Sequence, residues 1–513
     1  MTVESPDVRR LAAIGFGVVI VVLALMCVGL RQAAAEPHVV ATYHGDAARS
    51  GNYVMPGLTA ERAATMHLDP SFNGTVEGLA MAQPLYWRPD GAGRGLLIVA
   101  TEADTVAALD AVSGRTVWRT ALGTAVPSGL LACGNIDPVG ITGTPVIDPA
   151  SGALYLSALV NDRATLRHRI FALRLQDGGV MQGWPVDVED SLAARGIQLS
   201  ARLENQRGAL ALSDHRLYVP FGGNWGDCGA YHGAVVGIDT ATPGVFGAWV
   251  TRARKAGIWA PGGVVSDGRS LFVTTGNAAP EEEWHDQEAV FRLTPDLRRS
   301  SDPHDFFAPS DWRRLDETDA DLGGANPIPI DVPSPQGARP FLLQLGKDGN
   351  AYLLDRANLG GIGRAALVKP VARSTIITAP AAVTTDSGTI VVFATPDADC
   401  PRGGTAGLAA LLVTAAPSVD VRSLWCAQLD ALRPAPVITT TDGRSDPIVW
   451  VAGGSGDERL HAFRADTGEV VFAGGAAGDR MSGLDHFATV LPAEETLYVA
   501  GRGRVFAFRA GPR

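Results

Sequence analysis

The sequence predicts an all-β chain, an eight-bladed β-propeller with seven blades as the alternative, following an N-terminal signal or anchor helix. Three observations carry this. A strand–turn–strand unit recurs along the chain. Strand groups return at roughly 40–50-residue intervals, the spacing of a bladed repeat. Helix signals are almost absent beyond the first apolar run.

The unit is clearest at residues 105–118, where Val106, Ala108 and Leu109 form an apolar strand, Asp110 to Gly114 a turn, and Val117-Trp118 the next strand. Gly114 is free to take the positive φ that such a turn demands. The unit returns at 460–472, with Gly468 and Phe472 in place of Gly114 and Trp118, and more loosely at Ile170–Trp184, Val236–Trp249 and Tyr352–Gly361. A large aromatic four residues past the turn glycine can wedge between adjacent blades.

In chain order, residues 38–60 form an entry whose apolar start, Val39-Val40, could supply a closing strand to the last blade. Groups of strands then occupy residues 74–123, 140–189, 205–253, 257–310, 320–370, 375–429 and 433–481. The final group, 486–510, holds only three strands: Phe487–Val490, Thr496–Ala500 and Val505–Arg509. A strand from the N-terminus would complete it and close the ring, removing exposed sheet edges. Residues 281–288 and 310–321 are polar insertions, read as short helices over one face. No low-complexity linker divides residues 36–513, which are taken as one domain.

Arg9-Arg10 precede an apolar run from Leu11 to Leu30, and Ala33-Ala34-Ala35 follows. About 20 apolar residues suffice to cross a bilayer, and the arginines would stay on the cytoplasmic side. Residues 1–35 are therefore either a cleaved signal peptide or a retained anchor. Both place the remainder outside the cytoplasm, periplasmic or extracellular, with membrane contact only through this helix. Met26 before Cys27 makes a poor lipoprotein box. The formal charge is −11 with no basic block, which argues against a nucleic-acid partner.

Of the five cysteines, Cys27 lies in the apolar run. Cys133, Cys228, Cys400 and Cys426 remain, an even number suited to two disulfides in an oxidising compartment. Cys400 and Cys426 flank one blade-sized segment and are paired on that ground, which leaves Cys133 with Cys228; four cysteines allow three connectivities. No Cys-x-x-Cys-His haem motif occurs.

The repeats resemble the quinoprotein, or PQQ-like, propeller superfamily. It includes periplasmic alcohol dehydrogenases that use pyrroloquinoline quinone (PQQ) with calcium, and non-catalytic members. The likeness is most specific at 271–361. Leu271-Phe272-Val273-Thr274-Thr275-Gly276-Asn277 looks like the dehydrogenases' strand ending in a calcium-binding Asn. Asp321-Leu322-Gly323-Gly324-Ala325-Asn326 looks like the loop whose Asp is the catalytic base. Lys347-Asp348-Gly349-Asn350 begins a segment like the one whose cation contacts the quinone. The resemblance implies Asn277 as metal ligand, Asp321 as base, and Lys347 and Asn326 as cofactor contacts. The chemistry is consistent: PQQ is a flat tricarboxylate that needs cations and a hard metal held by oxygens, and a carboxylate would remove the substrate proton.

Three departures count against that chemistry. The family's adjacent cysteine pair is reduced to Cys133 in Cys133-Gly134-Asn135-Ile136. The position of its calcium-binding Glu falls on Cys228, leaving Asp227 as the only stand-in. Trp259, the counterpart of the quinone's floor, is about two residues out of step, and Pro261 takes the position. A Cys133–Cys228 bridge would sit where the family holds quinone and metal. The leading expectation is therefore an exported, non-catalytic propeller without cofactor, binding a protein or small-molecule ligand through loops on its top face. The alternative is a PQQ- and calcium-dependent dehydrogenase oxidising an alcohol or sugar. Asn277, Asp321 and Lys347 also have ordinary readings, as a turn residue after Gly276, a loop cap and a hairpin residue.

Overall fold

A computed structural model describes Met1 and residues 39–511, leaving out 90–92, 164, 280, 281 and 432. The proposed signal or anchor, residues 1–35, and Glu281 of the acidic insertion lie outside the described residues. Among the described residues no helix is long and apolar enough to cross a membrane.

Eight sheets form eight blades. Blade 1 contains Leu85–Trp87, Leu96–Ala100, Thr105–Asp110 and Thr116–Ala121, paired antiparallel in sequence order from the axis outward. Its two middle strands are buried at every position, whereas Thr116–Ala121 is mostly exposed and buries only Trp118. A middle strand is covered on both faces by neighbouring blades, so it reads as a continuous apolar run. Blades 2 to 7 repeat the plan.

Trp118 is the predicted wedge. Its indole Nε1 donates to the carbonyl of Leu175 in blade 2 at 2.9 Å. A Cβ on Gly178, in the blade 2 turn, would lie 2.4 Å from the indole ring. Trp425 docks on blade 7 in the same way, donating to Ala465 O at 2.7 Å beneath Gly468. The turn glycine is thus required twice over: its positive φ closes the turn, and its missing side chain admits the neighbour's aromatic ring.

Ring closure follows the expected principle through different residues. Blade 8 takes Val490–Ala493, Thr496–Ala500 and Arg502–Ala510 from the C-terminus, and Met66–Leu68 and Gly74–Leu79 pair with that last strand. Val39-Val40 does not close the last blade: it pairs with Leu85–Trp87 of blade 1. Two apolar residues satisfy any free inner edge, and the chain meets blade 1 first. Of the two polar insertions, only the second is helical, at Trp312–Thr318. The described part of the first is irregular. Short helices at Ala60–Ala63 and Val188–Ala193, each capped by the side chain of the preceding Thr59 or Asp187, were not expected.

Residues 41–51 run along the innermost strands. The carbonyls of Ala41, Ala47, Ser50 and Gly51 accept from Ile147, Ser266, Ala382 and Ile438, in blades 2, 4, 6 and 7. Arg49 is fully buried and donates to the carbonyls of Leu210, Gly262 and Val264 at 2.8, 3.1 and 3.0 Å. One side chain thereby satisfies three otherwise stranded acceptors of blades 3 and 4.

Both expected disulfides are present, Cys133–Cys228 and Cys400–Cys426. They fit an oxidising, exported environment. The second ties the hairpin loop after Gly388–Asp399 to the outer strand Asp420–Ala427 within blade 6, across the intervening Thr405–Thr414, and the first joins the connection after blade 1 to the blade 3 hairpin.

Candidate functional site

The connection from the outer strand of one blade to the inner strand of the next returns to the axis eight times. These connections, with the hairpin loops of blades 3 and 5, surround a cavity of about 520 Å³. Met81, Thr142, Arg207, Trp259, Asp321, Thr375, Arg433 and His486 each come from a different inter-blade connection. Trp225 and Asp227 come from the blade 3 hairpin and Lys347 from that of blade 5.

Three of the sequence-predicted residues meet here. Trp259 Nε1 donates to Asp321 Oδ2 at 3.0 Å, and Lys347 Nζ approaches the same oxygen at 3.2 Å. Lys347 Nζ also lies 3.0 Å from Asp319 Oδ1 and 5.1 Å from the centre of the Trp259 ring. The guanidinium of Arg207 lies 5.5 Å from that ring, so two cations flank one indole. The arrangement is held from behind: Lys347 N donates to Asp321 O at 2.9 Å. A Cβ on Gly276 would fall 2.9 Å from both Asp321 Oδ2 and Trp259 Nε1.

The electrostatics are tight. Burial raises the Asp321 carboxyl above its ordinary range, and the Lys347 ammonium only partly offsets this. Burial disfavours the Lys347 ammonium, but Asp321 and Asp319 outweigh it and hold its pKa up. Burial also lowers Arg207. Asp321 Oδ1 is buried without a hydrogen-bond partner. Behind it lies Glu288, fully buried, whose Oε2 accepts from Leu322 N at 2.5 Å. Burial and the Asp321 charge push Glu288 well above the usual carboxylate range.

The other predicted residues are dispersed. Asp227 lines the cavity, and its Oδ1 accepts from the Tyr231 hydroxyl at 2.5 Å. Asn277 is half-buried outside the cavity lining, its carbonyl accepting from Ala256 N. Asn326 is fully buried beside Gly262 and is not a lining residue either. The Cys133–Cys228 bridge stands at the rim: a Cβ on Gly226 would lie 3.4 Å from Cys133 Sγ.

These positions do not fit a calcium site. Asn277 and Asp227 are in different surroundings, and among the described residues Asp227 belongs to no group of three His, Cys, Asp or Glu side chains. The cavity lining carries both charges: Arg207, Lys347 and Arg433 face it beside the Trp259 ring, with Asp227, Asp319 and Asp321, the last two paired with Lys347. Sequence reasoning missed Arg207, Arg433, Asp319 and the 63 % exposed Trp225. A signal existed for two of them. Arg207 and Arg433 each stand shortly before the inner strands Ala211–Ser213 and Val437–Thr440, as Trp259 and Asp321 stand somewhat further before Val265–Ser266 and Ile328–Val332.

The chain matches no protein-family model and no curated protein sequence. Its fold is nevertheless that of the quinoprotein alcohol dehydrogenase-like propellers. A quinohemoprotein alcohol dehydrogenase from Pseudomonas putida superimposes with a TM-score of 0.65 at 14% identity, over 93% of this chain and 81% of that one. The quinohemoprotein alcohol dehydrogenase of Comamonas testosteroni gives 0.59 at 15%, over 94% and 82%. A europium-containing methanol dehydrogenase gives 0.56 at 14%, over 92% and 91%. At such identities the likeness establishes the architecture.

Proposed function

We propose that the protein is an exported, non-catalytic propeller that binds an anionic small molecule, or an acidic group of a partner protein, in its axial cavity. Residues 1–35 direct it out of the cytoplasm and either leave or anchor it at the membrane. The observation that carries this reading is the separation of Asn277 from Asp227: Asp227 faces the cavity engaged by Tyr231, and Asn277 lies outside the lining. Without a shared set of oxygens there is nothing to hold a hard cation against a quinone. The Cys133–Cys228 bridge ties two rim loops together instead. Lys347 is offset by Asp319 and Asp321, but Arg207 and Arg433 line the cavity with no salt bridge among the described residues, and with the Trp259 face they suit recognition of a carboxylate.

One observation favours a second reading, a PQQ- and calcium-dependent dehydrogenase. Asp321, Lys347 and Trp259 are brought together in one contact set, as the family's base, quinone cation and floor would require. Dye reduction by the chain loaded with PQQ and calcium, lost in Asp321→Asn, would overturn the first reading. An inactive chain whose cavity still takes up carboxylates supports it.

A further inference from the structure

Two acidic side chains are enclosed in blade 1 with no cation beside them among the described residues. The turn between Leu96–Ala100 and Thr105–Asp110 contains Glu102, 2 % exposed, and Asp104, fully buried. Glu102 Oε2 is satisfied, accepting from Gly140 N at 2.8 Å and from the Thr142 hydroxyl at 3.1 Å. Glu102 Oε1 and both carboxylate oxygens of Asp104 have no partner. Neither residue has a salt bridge among the described residues. Their only mutual influence is repulsive: Glu102 raises Asp104.

Such a pair is costly. An unpaired buried carboxylate costs several kcal/mol, so it is neutralised by a proton, a basic side chain or a metal. Among the described residues no basic side chain pairs with it. The backbone is committed to the arrangement. Asp104 adopts a left-handed φ of 53°, uncommon for a non-glycine residue, which turns its side chain back beside Glu102. Gly140 makes room: a Cβ there would lie 2.5 Å from the Glu102 carbonyl and 2.7 Å from Asp104 Oδ1. The Glu102 carbonyl and an Asp104 carboxylate oxygen are therefore packed against the same side of Gly140. Thr142, which holds Glu102, lines the axial cavity, so the pair is one residue behind a surface open to solvent ions.

We propose that Glu102 and Asp104 form a site for one divalent hard cation, with calcium the best fit. Two carboxylates neutralise a divalent charge. Free carboxylate oxygens with a nearby carbonyl are the hard donors calcium takes in irregular geometry, whereas magnesium demands a near-ideal octahedron. The site would pin the blade 1 turn to the 139–142 connection. It is separate from the Asp321 cluster and independent of whether the cavity binds PQQ. Protons are the competitor, since burial lifts Glu102 to about 7 and Asp104 to about 8.

The test is calcium titration of the chelator-treated full chain at pH about 8.5 by calorimetry, with melting temperature as a second readout. One calcium should bind per chain and raise the melting temperature by about 3 °C at saturation. Asp104→Asn and Glu102→Gln should each weaken binding at least about 100-fold. Each should also fold in chelator, because each removes an uncompensated charge. Asn277→Ala and Asp321→Asn should bind calcium like the parent, separating this site from the cavity. A parent indifferent to calcium, or binding that survives both Asp104→Asn and Glu102→Gln, overturns the proposal.

Discussion

Trp259 and Asp321, 62 residues apart, are joined by an indole N–H to carboxylate hydrogen bond of 3.0 Å that crosses from one inter-blade connection to the next. Lys347 meets the same oxygen from the blade 5 hairpin. The carboxylate is thus already occupied on one oxygen, and its other oxygen is enclosed. An arrangement this closely held orients an indole face and an ammonium toward the cavity, whatever binds there.

Replacing Lys347 by Met should expose how far Asp321 depends on that ammonium. A buried carboxylate left without its cation typically costs 3–5 kcal/mol, so a loss of about 3 kcal/mol is expected at pH 8. The folded-state pKa of Asp321 is already raised and would rise further. A raised carboxyl pKa means stability is lost as pH rises, so the deficit should nearly vanish near pH 4. Urea unfolding at the two pH values measures this. A deficit independent of pH would mean the lysine acts by packing.

The two disulfides should differ in weight. Cys133–Cys228 closes 95 residues of chain and Cys400–Cys426 closes 26. Loop entropy then predicts a loss of about 4.7 kcal/mol for Cys133→Ser with Cys228→Ser, against about 3.5 kcal/mol for the blade 6 pair. Non-reducing peptide mapping should recover both bridges, and denaturant midpoints of the double variants give the order. Free thiols at Cys133 and Cys228 in the purified chain would contradict the rim staple.

Arg49 should be among the least replaceable residues. Arg49→Met leaves the carbonyls of Leu210, Gly262 and Val264 buried without donors. At roughly 1–3 kcal/mol for each orphaned group, a loss of about 4 kcal/mol is expected by chemical denaturation. Arg49→Lys should restore little of it, because one ammonium cannot reach three separated acceptors. Full rescue by lysine would show that charge alone matters.

A pH-dependent contribution should come from Glu204. It is 3 % exposed, accepts from Ser200 N at 2.8 Å, and faces His168 and Glu189, which are bonded to each other at 2.7 Å. Burial raises its pKa from 4.5 to about 7. The folded state therefore binds this proton more tightly than the unfolded state. Stability from this group is complete below pH about 4.5 and lost as pH rises through about 7, by about 2–3 kcal/mol. Glu204→Gln keeps the acceptor and removes the titration. The difference in unfolding free energy between variant and parent should grow in the variant's favour over that interval, and a flat difference would refute the assignment.

The fold was legible because its signal is repeated. Gly114 with Trp118 means little alone, but the spacing returns, and the middle strands are continuous apolar runs because blades cover both their faces. Ring closure was legible in principle only. Met66–Leu68 and Gly74–Leu79 alternate polar and apolar residues at the outer rim, where one face meets solvent, so they stand out less than Val39-Val40. Within the site, Asp321, Lys347 and Trp259 were found through motif likeness. Arg207, Arg433 and Trp225 were not, because a loop residue's role depends on where the closed ring places it. Glu102 and Asp104 belong to no motif, and only their burial sets them apart.

The central claim is best tested by calorimetry and absorbance on the full chain titrated with PQQ, with and without calcium, followed by dye reduction with a panel of alcohols and sugars. The account predicts no calcium-dependent PQQ binding in the micromolar range and no dye reduction. Micromolar, calcium-dependent binding with turnover that Asp321→Asn abolishes would contradict it and establish a dehydrogenase.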